Sequence, residues 1–269
     1  MWRNTPEFNL YLQIQEPAFA VTPTPAQQNW LLRRTLDEAV DDLRTIDATA
    51  RRCVGGSARP MMNADWRRGR AEFSSEQLQI HGQQVMQAWE RPLMQALAEI
   101  AGGTRGDVAE IGFGMGISAS MLQEAGVRSH TIVECHPDVL DALARWREHY
   151  PNAAIDVVAR RWQDWIAAEA SFDAILFDTY PTSEEEYAAE VIESPTFAAS
   201  FFPTASRLLR PGGVFTYYTN EIDSLSRRHQ RLLFEHFSSV GVSLVRDLQP
   251  PADCQYWWAD SMAVVKAIK

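Results

Sequence analysis

Long apolar runs are missing from this 269-residue chain. None approaches the roughly 18–20 residues that cross a bilayer, so no transmembrane helix is expected. Cysteine is scarce as well. Cys53, Cys135 and Cys254 are odd in number and far apart. They have neither metal-ligand spacing nor the look of a disulfide framework, which suits a reducing cytoplasm and no metal. Positive charge is in deficit: 25 Lys and Arg face 35 Asp and Glu, a net charge of −10. A chain that grips nucleic acid needs a basic face, because phosphate contacts supply most of the affinity. Nucleic acid and anionic membranes are therefore not expected partners, whereas a cationic small molecule suits the balance. The N-terminus, MWRNTPEFNLYLQIQEP, lacks a basic stretch followed by an apolar stretch and a small-residue cleavage site, so no secretory leader is expected.

What is present divides into two parts. Residues 1–56 hold an alternating, strand-like FNLYLQIQ, a proline-punctuated linker PAFAVTPTPAQ, and an amphipathic helix over 27–52. Leu32, Leu36, Val40, Leu43 and Ile46 recur there at helical spacing with acids opposite. The helix packs on its own domain or serves as an arm joining two copies. CVGGSARP marks the boundary, and 57–269 form the main domain.

From about residue 60 onward helix and strand alternate. The periodicity predicts a helix over 76–101 containing the turn WERP, then strands at 107–111, 130–134 and 155–159 with helices at 117–125 and 137–149 between them. A helix from WQDWIAAEA, a strand at FDAILFD, a helix at 195–209, the turn RPGG and a strand at 214–219 follow. A helix at 224–240 and two strands, in VSLVRDLQ and MAVVKAI, end the chain. Repeated βα units imply a Rossmann-like α/β fold, its sheet mostly parallel with helices on both faces and an antiparallel C-terminal edge.

In such sheets ligands sit beyond the carboxyl ends of the strands. AILFDTYP delivers Asp178 to one such end, followed by Tyr180 and a proline stop. EIGFGMG (110–116) delivers a glycine-rich turn that opens a helix, with Gly112, Gly114 and Gly116 allowing close backbone approach to a ligand. The dinucleotide fingerprint G-x-G-x-x-G/A is not met, because position 117 is Ile. The spacing fits the E-x-G-x-G-x-G turn of S-adenosylmethionine (SAM)-dependent methyltransferases. The next strand ends in Glu134, an acid placed to accept two ribose hydroxyls.

The chain from about residue 60 onward resembles guanidinoacetate N-methyltransferase and its relatives that methylate guanidino groups. The resemblance is carried by VMQAWERPLMQAL, EIGFGMGISAS, IVEC, RWQDW, ILFDTYPTSEEEY, LLRPGGVFTY and PPADCQY. It implies a class I SAM-dependent methyltransferase that turns SAM into S-adenosylhomocysteine. It implies SAM contacts from Met86 and Met94, from Glu110 and the turn residues Gly112, Phe113, Gly114, Met115, Gly116, Ile117 and Ser118, and from Glu134, Cys135, His136, Trp162, Gln163 and Asp178. It implies that Glu90 and Asp178 grip the guanidino group, with Trp66 where an N-terminal segment folds over the substrate.

The chemistry agrees. A guanidinium arrives protonated, with a pKa above about 12. Removing its proton in neutral water costs at least roughly 7 kcal/mol, at about 1.4 for each tenfold in acidity. The methyl donor is also a cation. Two carboxylates aim the planar headgroup through paired charge-assisted hydrogen bonds and offset the repulsion. Asp178 is expected to accept the proton as attack proceeds, and Glu90 to orient. Tyr180 stands nearby, and Glu184–Glu186 read as a solvated face.

In the family a Thr-Ser pair after the fifth strand receives the substrate carboxylate. An ungapped match puts Glu221 and Ile222 there, next to Thr219 and Asn220. A glutamate repels a carboxylate and receives an ammonium. The expected substrate is therefore free L-arginine, methylated on its guanidino group. The alternatives are guanidinoacetate and a non-catalytic SAM-fold module.

Overall fold

The computed structural model describes residues 69–165, 171–181 and 194–269, all within one compact unit, Arg52–Lys269. The N-terminal arm, Trp66 and Glu184–Glu186 lie outside the described residues.

The chain enters through a small antiparallel sheet: β1 (Ala71–Phe73), β2 (Gln77–Ile80) and β3 (Gln83–Gln87). The single helix expected over 76–101 is thus a hairpin followed by a helix. Burial alternates along β2 and β3 rather than following a helical stripe. His81 and Gly82 both take positive φ, 54° and 71°, which is the two-residue hairpin turn whose twist matches the strands it joins. A turn of 3₁₀ helix, Ala88–Glu90, leads into α1 (Arg91–Gly102), whose first turn holds Pro92 where a missing N–H costs nothing.

The βα series follows: β4 (Asp107–Ile111), α2 (Ile117–Glu124), β5 (Ser129–Glu134), α3 (Pro137–Arg147), β6 (Ile155–Ala159) and β7 (Phe172–Phe177). A 3₁₀ segment, Phe197–Phe201, runs into α4 (Phe202–Leu208). Then come β8 (Leu209–Tyr217), α5 (Arg227–His236), β9 (Ser239–Val245) and β10 (Met262–Ile268). RPGG, expected as a free turn, lies inside β8, where the pairing with β7 slips by a bulge.

The seven-stranded sheet has the order β6-β5-β4-β7-β8-β10-β9. Pairs from β6 to β8 are parallel, and β10 is antiparallel to both β8 and β9. The expected mostly parallel sheet with an antiparallel C-terminal edge is what the structure shows. The order reverses at β4, so the crevice beyond β4 and β7 is where a ligand belongs.

Alternation along the strands feeds two cores. Val108, Ala174, Leu176 and Val264 face one side with Leu93, Met94 and Leu97 of α1. Ala109, Ile111, Ile175 and Phe177 face the other, in an aromatic layer with Phe201, Phe202, Phe215 and Tyr217. At the amino ends of the strands, Asp107 and Asp173 share Arg128 and Arg210 in four contacts of 2.7–2.9 Å. The Arg128 guanidinium leads in holding Asp107 below the usual carboxylate range, and for Asp173 the Asp107 N–H leads with the arginines behind it, in each case against the opposing effect of burial.

Candidate active site

The glycine turn after β4 is built by close approach. Gly112 has φ +92°, and a Cβ there would collide with the Asp178 carbonyl oxygen. Gly114 has φ +54°, and its Cβ would stand 2.7 Å from Met86 Sδ. Gly112 admits no side chain, one at Gly114 would have to push the Met86 side chain aside, and both conformations disfavour L-residues. The turn is therefore in contact with β3 through Met86, whose sulfur accepts from the Met115 N–H at 3.3 Å. It is also in contact with the end of β7 through Asp178, whose N–H bonds the Ile111 carbonyl at 2.9 Å.

Glu134 stands at the end of β5 and is held in place by backbone. One oxygen accepts from Cys135 N at 2.6 Å and His136 N at 2.9 Å, and the other from Phe113 N at 3.1 Å. The last bond ties the acid directly to the glycine turn. Three of its roughly four acceptor sites are thus taken, and one on the second oxygen remains for a hydroxyl of a vicinal diol. The cradle of Gly112–Gly116 and this acid fit the adenosine half of SAM.

Other expected cofactor residues divide by exposure. Cys135, Met115, Trp162 and Gln163 are half-buried around the crevice. Trp162 packs edge-on to Phe201 and Phe177 at 5.4 and 5.8 Å. Phe113 and Ile117 are buried. His136 is buried, and its Nε2 donates to the Gly69 carbonyl at 2.9 Å. Met94 is wholly inside the core beside α1. Glu110 is fully buried behind the turn: Ser118 Oγ donates to one oxygen at 2.5 Å, and His130 Nε2 stands 3.0 Å from the other. Glu110 and Ser118 thus make a polar knot beneath the turn, and they act on the crevice through charge and position.

That charge reaches Asp178. Burial, followed by the repulsion of Glu110, pushes the Asp178 carboxyl up to about 7. The side chain still keeps partial contact with solvent, in keeping with its place at the mouth of the crevice.

Glu90 sits at the start of α1 and is only 3% exposed. Its Oε1 accepts from Gln87 N at 2.8 Å and from the Tyr256 hydroxyl at 2.5 Å. Burial and the Glu90 charge raise the Tyr256 hydroxyl far above its usual value, so it stays protonated and donates. The Tyr256 ring stacks on Trp89 at 6.0 Å. PPADCQY supplies this tyrosine. Its motif was visible in the sequence, but no role could be read for any residue in it.

After β8, Thr219 is fully buried and donates to the Ala263 carbonyl at 2.6 Å, facing β10. Asn220 takes the left-handed conformation, φ 60°. Glu221 Oε1 accepts from Ser226 N and lies 3.1 Å from His229 Nδ1, so this carboxylate closes the start of α5. Tyr180 is half-buried two residues beyond Asp178. Among the described residues no group of His, Cys, Asp and Glu could hold a metal ion, and no helix is long and apolar enough to cross a membrane.

Comparison with known proteins finds methyltransferase relatives. The family model for guanidinoacetate N-methyltransferase matches residues 60–269. Protein arginine N-methyltransferase 2 of Aspergillus fumigatus is 37% identical over 110 residues, 38% of this chain and 25% of that protein. The protein of the same name from Yarrowia lipolytica is 32% identical over 147 residues, 50% of this chain and 28% of its own length. The chain therefore spans only about a quarter of these relatives. Among solved structures, spermidine synthase of Thermotoga maritima superimposes with a TM-score of 0.53 at 16% identity, over 74% of this chain and 72% of that one, a likeness of fold. With the family's model covering 60–269, the glycine turn, Glu90 and Asp178 all fall inside the matched region, and the chain belongs to the guanidinoacetate N-methyltransferase family of SAM-dependent enzymes.

Proposed function

We propose that this chain methylates the guanidino group of a small cationic substrate, and that the substrate is free L-arginine, giving N-methyl-L-arginine. One observation carries the general reading. A carboxylate stands on each of the two segments that touch the glycine turn: Glu90, four residues beyond Met86, and Asp178 itself.

SAM, when bound, supplies an electrophilic methyl group on a sulfonium. Gly112–Gly116 and Glu134 would hold it, with Met86, Cys135, Trp162 and Gln163 around it. The work of the chain lies in its two acids. Glu90, with two donors on one oxygen, has its carboxylate plane fixed and presents a directed acceptor to the flat guanidinium. Asp178 serves as the base, because burial and Glu110 raise its affinity for a proton to near neutrality. It accepts the proton that the attacking nitrogen sheds on becoming tetrahedral. Both charges offset the meeting of two cations.

The choice of arginine rests on Glu221. An ungapped sequence match puts it where the family places a carboxylate receptor, and although Oε1 is turned to Ser226 and His229, its negative charge after β8 favours an ammonium over a second carboxylate. The fungal relatives are named protein arginine N-methyltransferase 2, which supports an arginine guanidino group as acceptor without distinguishing the free amino acid. Guanidinoacetate is the second reading, supported by the family match itself. We further propose that residues 1–56 form an arm that joins two copies and that the enzyme works in a reducing cytoplasm, as three scattered cysteines suit.

The test is incubation with labelled SAM and, in turn, arginine, guanidinoacetate, agmatine and canavanine, with product mass and methyl position determined. Turnover of arginine is expected. Strong turnover of guanidinoacetate with none of arginine would refute the finer reading. SAM binding without transfer to any guanidino compound would refute the whole, in favour of a binding module.

A further inference from the structure

We infer that Tyr256 is a positioning residue for the methyl transfer: its hydroxyl aims Glu90 at the guanidino group, and the PPADCQY segment exists to deliver that hydroxyl. The inference rests on the guanidino reading of the site and adds to it a residue from the far end of the chain.

Three observations join. The Tyr256 hydroxyl and the Gln87 N–H both donate to Glu90 Oε1, at 2.5 and 2.8 Å. Two donors at one oxygen fix the plane of the carboxylate and hence the direction of its other oxygen. The backbone that carries Tyr256 is clasped from β3. Gln84 Nε2 donates to the Asp253 carbonyl at 3.1 Å, and Gln84 Oε1 accepts from Gln255 N at 2.9 Å. Gln84 is itself buried, 5% exposed, and lies on the strand that runs on into Glu90. The segment is closed by a turn, Cys254 N to the Pro251 carbonyl at 2.9 Å, and is pinned by the core residue Trp257. A loop between two strands is thus locked to the site's own strand at both the backbone and the tyrosine tip.

Such an arrangement costs more than packing needs. Stacking on Trp89 would be met by phenylalanine. A tyrosine half-buried in this way finds a partner for its hydroxyl, and here the partner is the carboxylate that the proposed function assigns to the guanidino group. A donor of this kind sets geometry without touching the reacting atoms, and an error of 1 Å in a reacting pair costs about a hundredfold in rate.

The experiment compares the wild-type chain with Tyr256→Phe and Gln84→Met, using L-arginine and guanidinoacetate as substrates and SAM affinity as the control for folding. Tyr256→Phe keeps the ring and loses only the hydroxyl. Its kcat is expected to fall roughly tenfold to a hundredfold, the scale of a lost hydrogen bond to a charged group, with SAM affinity unchanged. Gln84→Met leaves the hydroxyl in place and loosens its support, so a smaller fall in kcat is expected. Tyr256→Phe equal to wild type would show a packing role and overturn the inference, as would a loss confined to SAM affinity. A wild type inactive on every guanidino compound would overturn the reading beneath it, and the inference with it.

Discussion

Replacing Asp178 by asparagine removes a titrating group whose proton affinity the fold has raised. The ordinary aspartate value is 3.8, and burial with Glu110's repulsion carries it to about 7. The folded ligand-free protein therefore binds a proton that the unfolded chain has released between about pH 4 and 7. Stability rises with pH only where the unfolded state holds more protons. Here the folded state holds more, so the contribution of Asp178 is fully present at low pH and is lost as pH rises toward 7. At 1.36 kcal/mol per pH unit the full span is worth about 4 kcal/mol. Asp178 keeps some contact with solvent, and screening brings the expected difference to roughly 1–3 kcal/mol. The asparagine variant, neutral at this position throughout, escapes the loss. Urea unfolding of both proteins without ligand, from pH 5 to 8, reads this directly. The gap should be smallest at pH 5, where less than half of the penalty has set in, and Asp178→Asn should be clearly the more stable at pH 8. Arginine binding to the wild type should also tighten across the same range and release a proton, seen by calorimetry in buffers of different ionisation enthalpy. A stability difference that stays flat from pH 5 to 8 would refute the assignment of Asp178 as a buried base.

Two further outcomes follow from the same geometry. Glu110→Gln removes the smaller of the two causes acting on Asp178, so the midpoint of that pH dependence should move down, but by less than burial contributes, in the same unfolding series. Gly114→Ala forces a Cβ against Met86 Sδ at a left-handed backbone angle, so thermal unfolding should show a loss of about 1–2 kcal/mol and titration a weaker grip on SAM.

Much of the fold was legible because its strands declare themselves. AILF is an apolar run that leads straight into Asp178, DVAEI leads into the glycine turn, and the parallel sheet buries both their faces. The antiparallel edge was readable from two strands with no helix between them. The small entry sheet was not. Gln77, Gln79, Gln83, Gln84 and Gln87 favour helices and are uncommon in strands, and Leu78, Val85, Met86 and Trp89 fall near helical spacing. The signal that contradicts a helix is His81-Gly82, two residues that accept positive φ between alternating stretches. Tertiary pairing overrode propensity there.

At the site, Gly112–Gly116, Glu134, Glu90 and Asp178 were singled out by motif; the structure ties Glu134 to the glycine turn and brings Asp178 and Met86, four residues before Glu90, against it. Glu221 shows the limit of that approach. A sequence match can place a charge after β8, but only coordinates show Oε1 turned to Ser226 and His229. Tyr256 shows the same limit from the other side, since 166 residues separate it from Glu90 and no local pattern links them.

The claim on which the account stands is that Glu90 and Asp178 together hold the guanidino group. A crystal structure with S-adenosylhomocysteine and arginine measures this. The account predicts guanidino nitrogens at about 2.7–2.9 Å from oxygens of both carboxylates. A guanidino group bound elsewhere, or met by only one of the two acids, would contradict it.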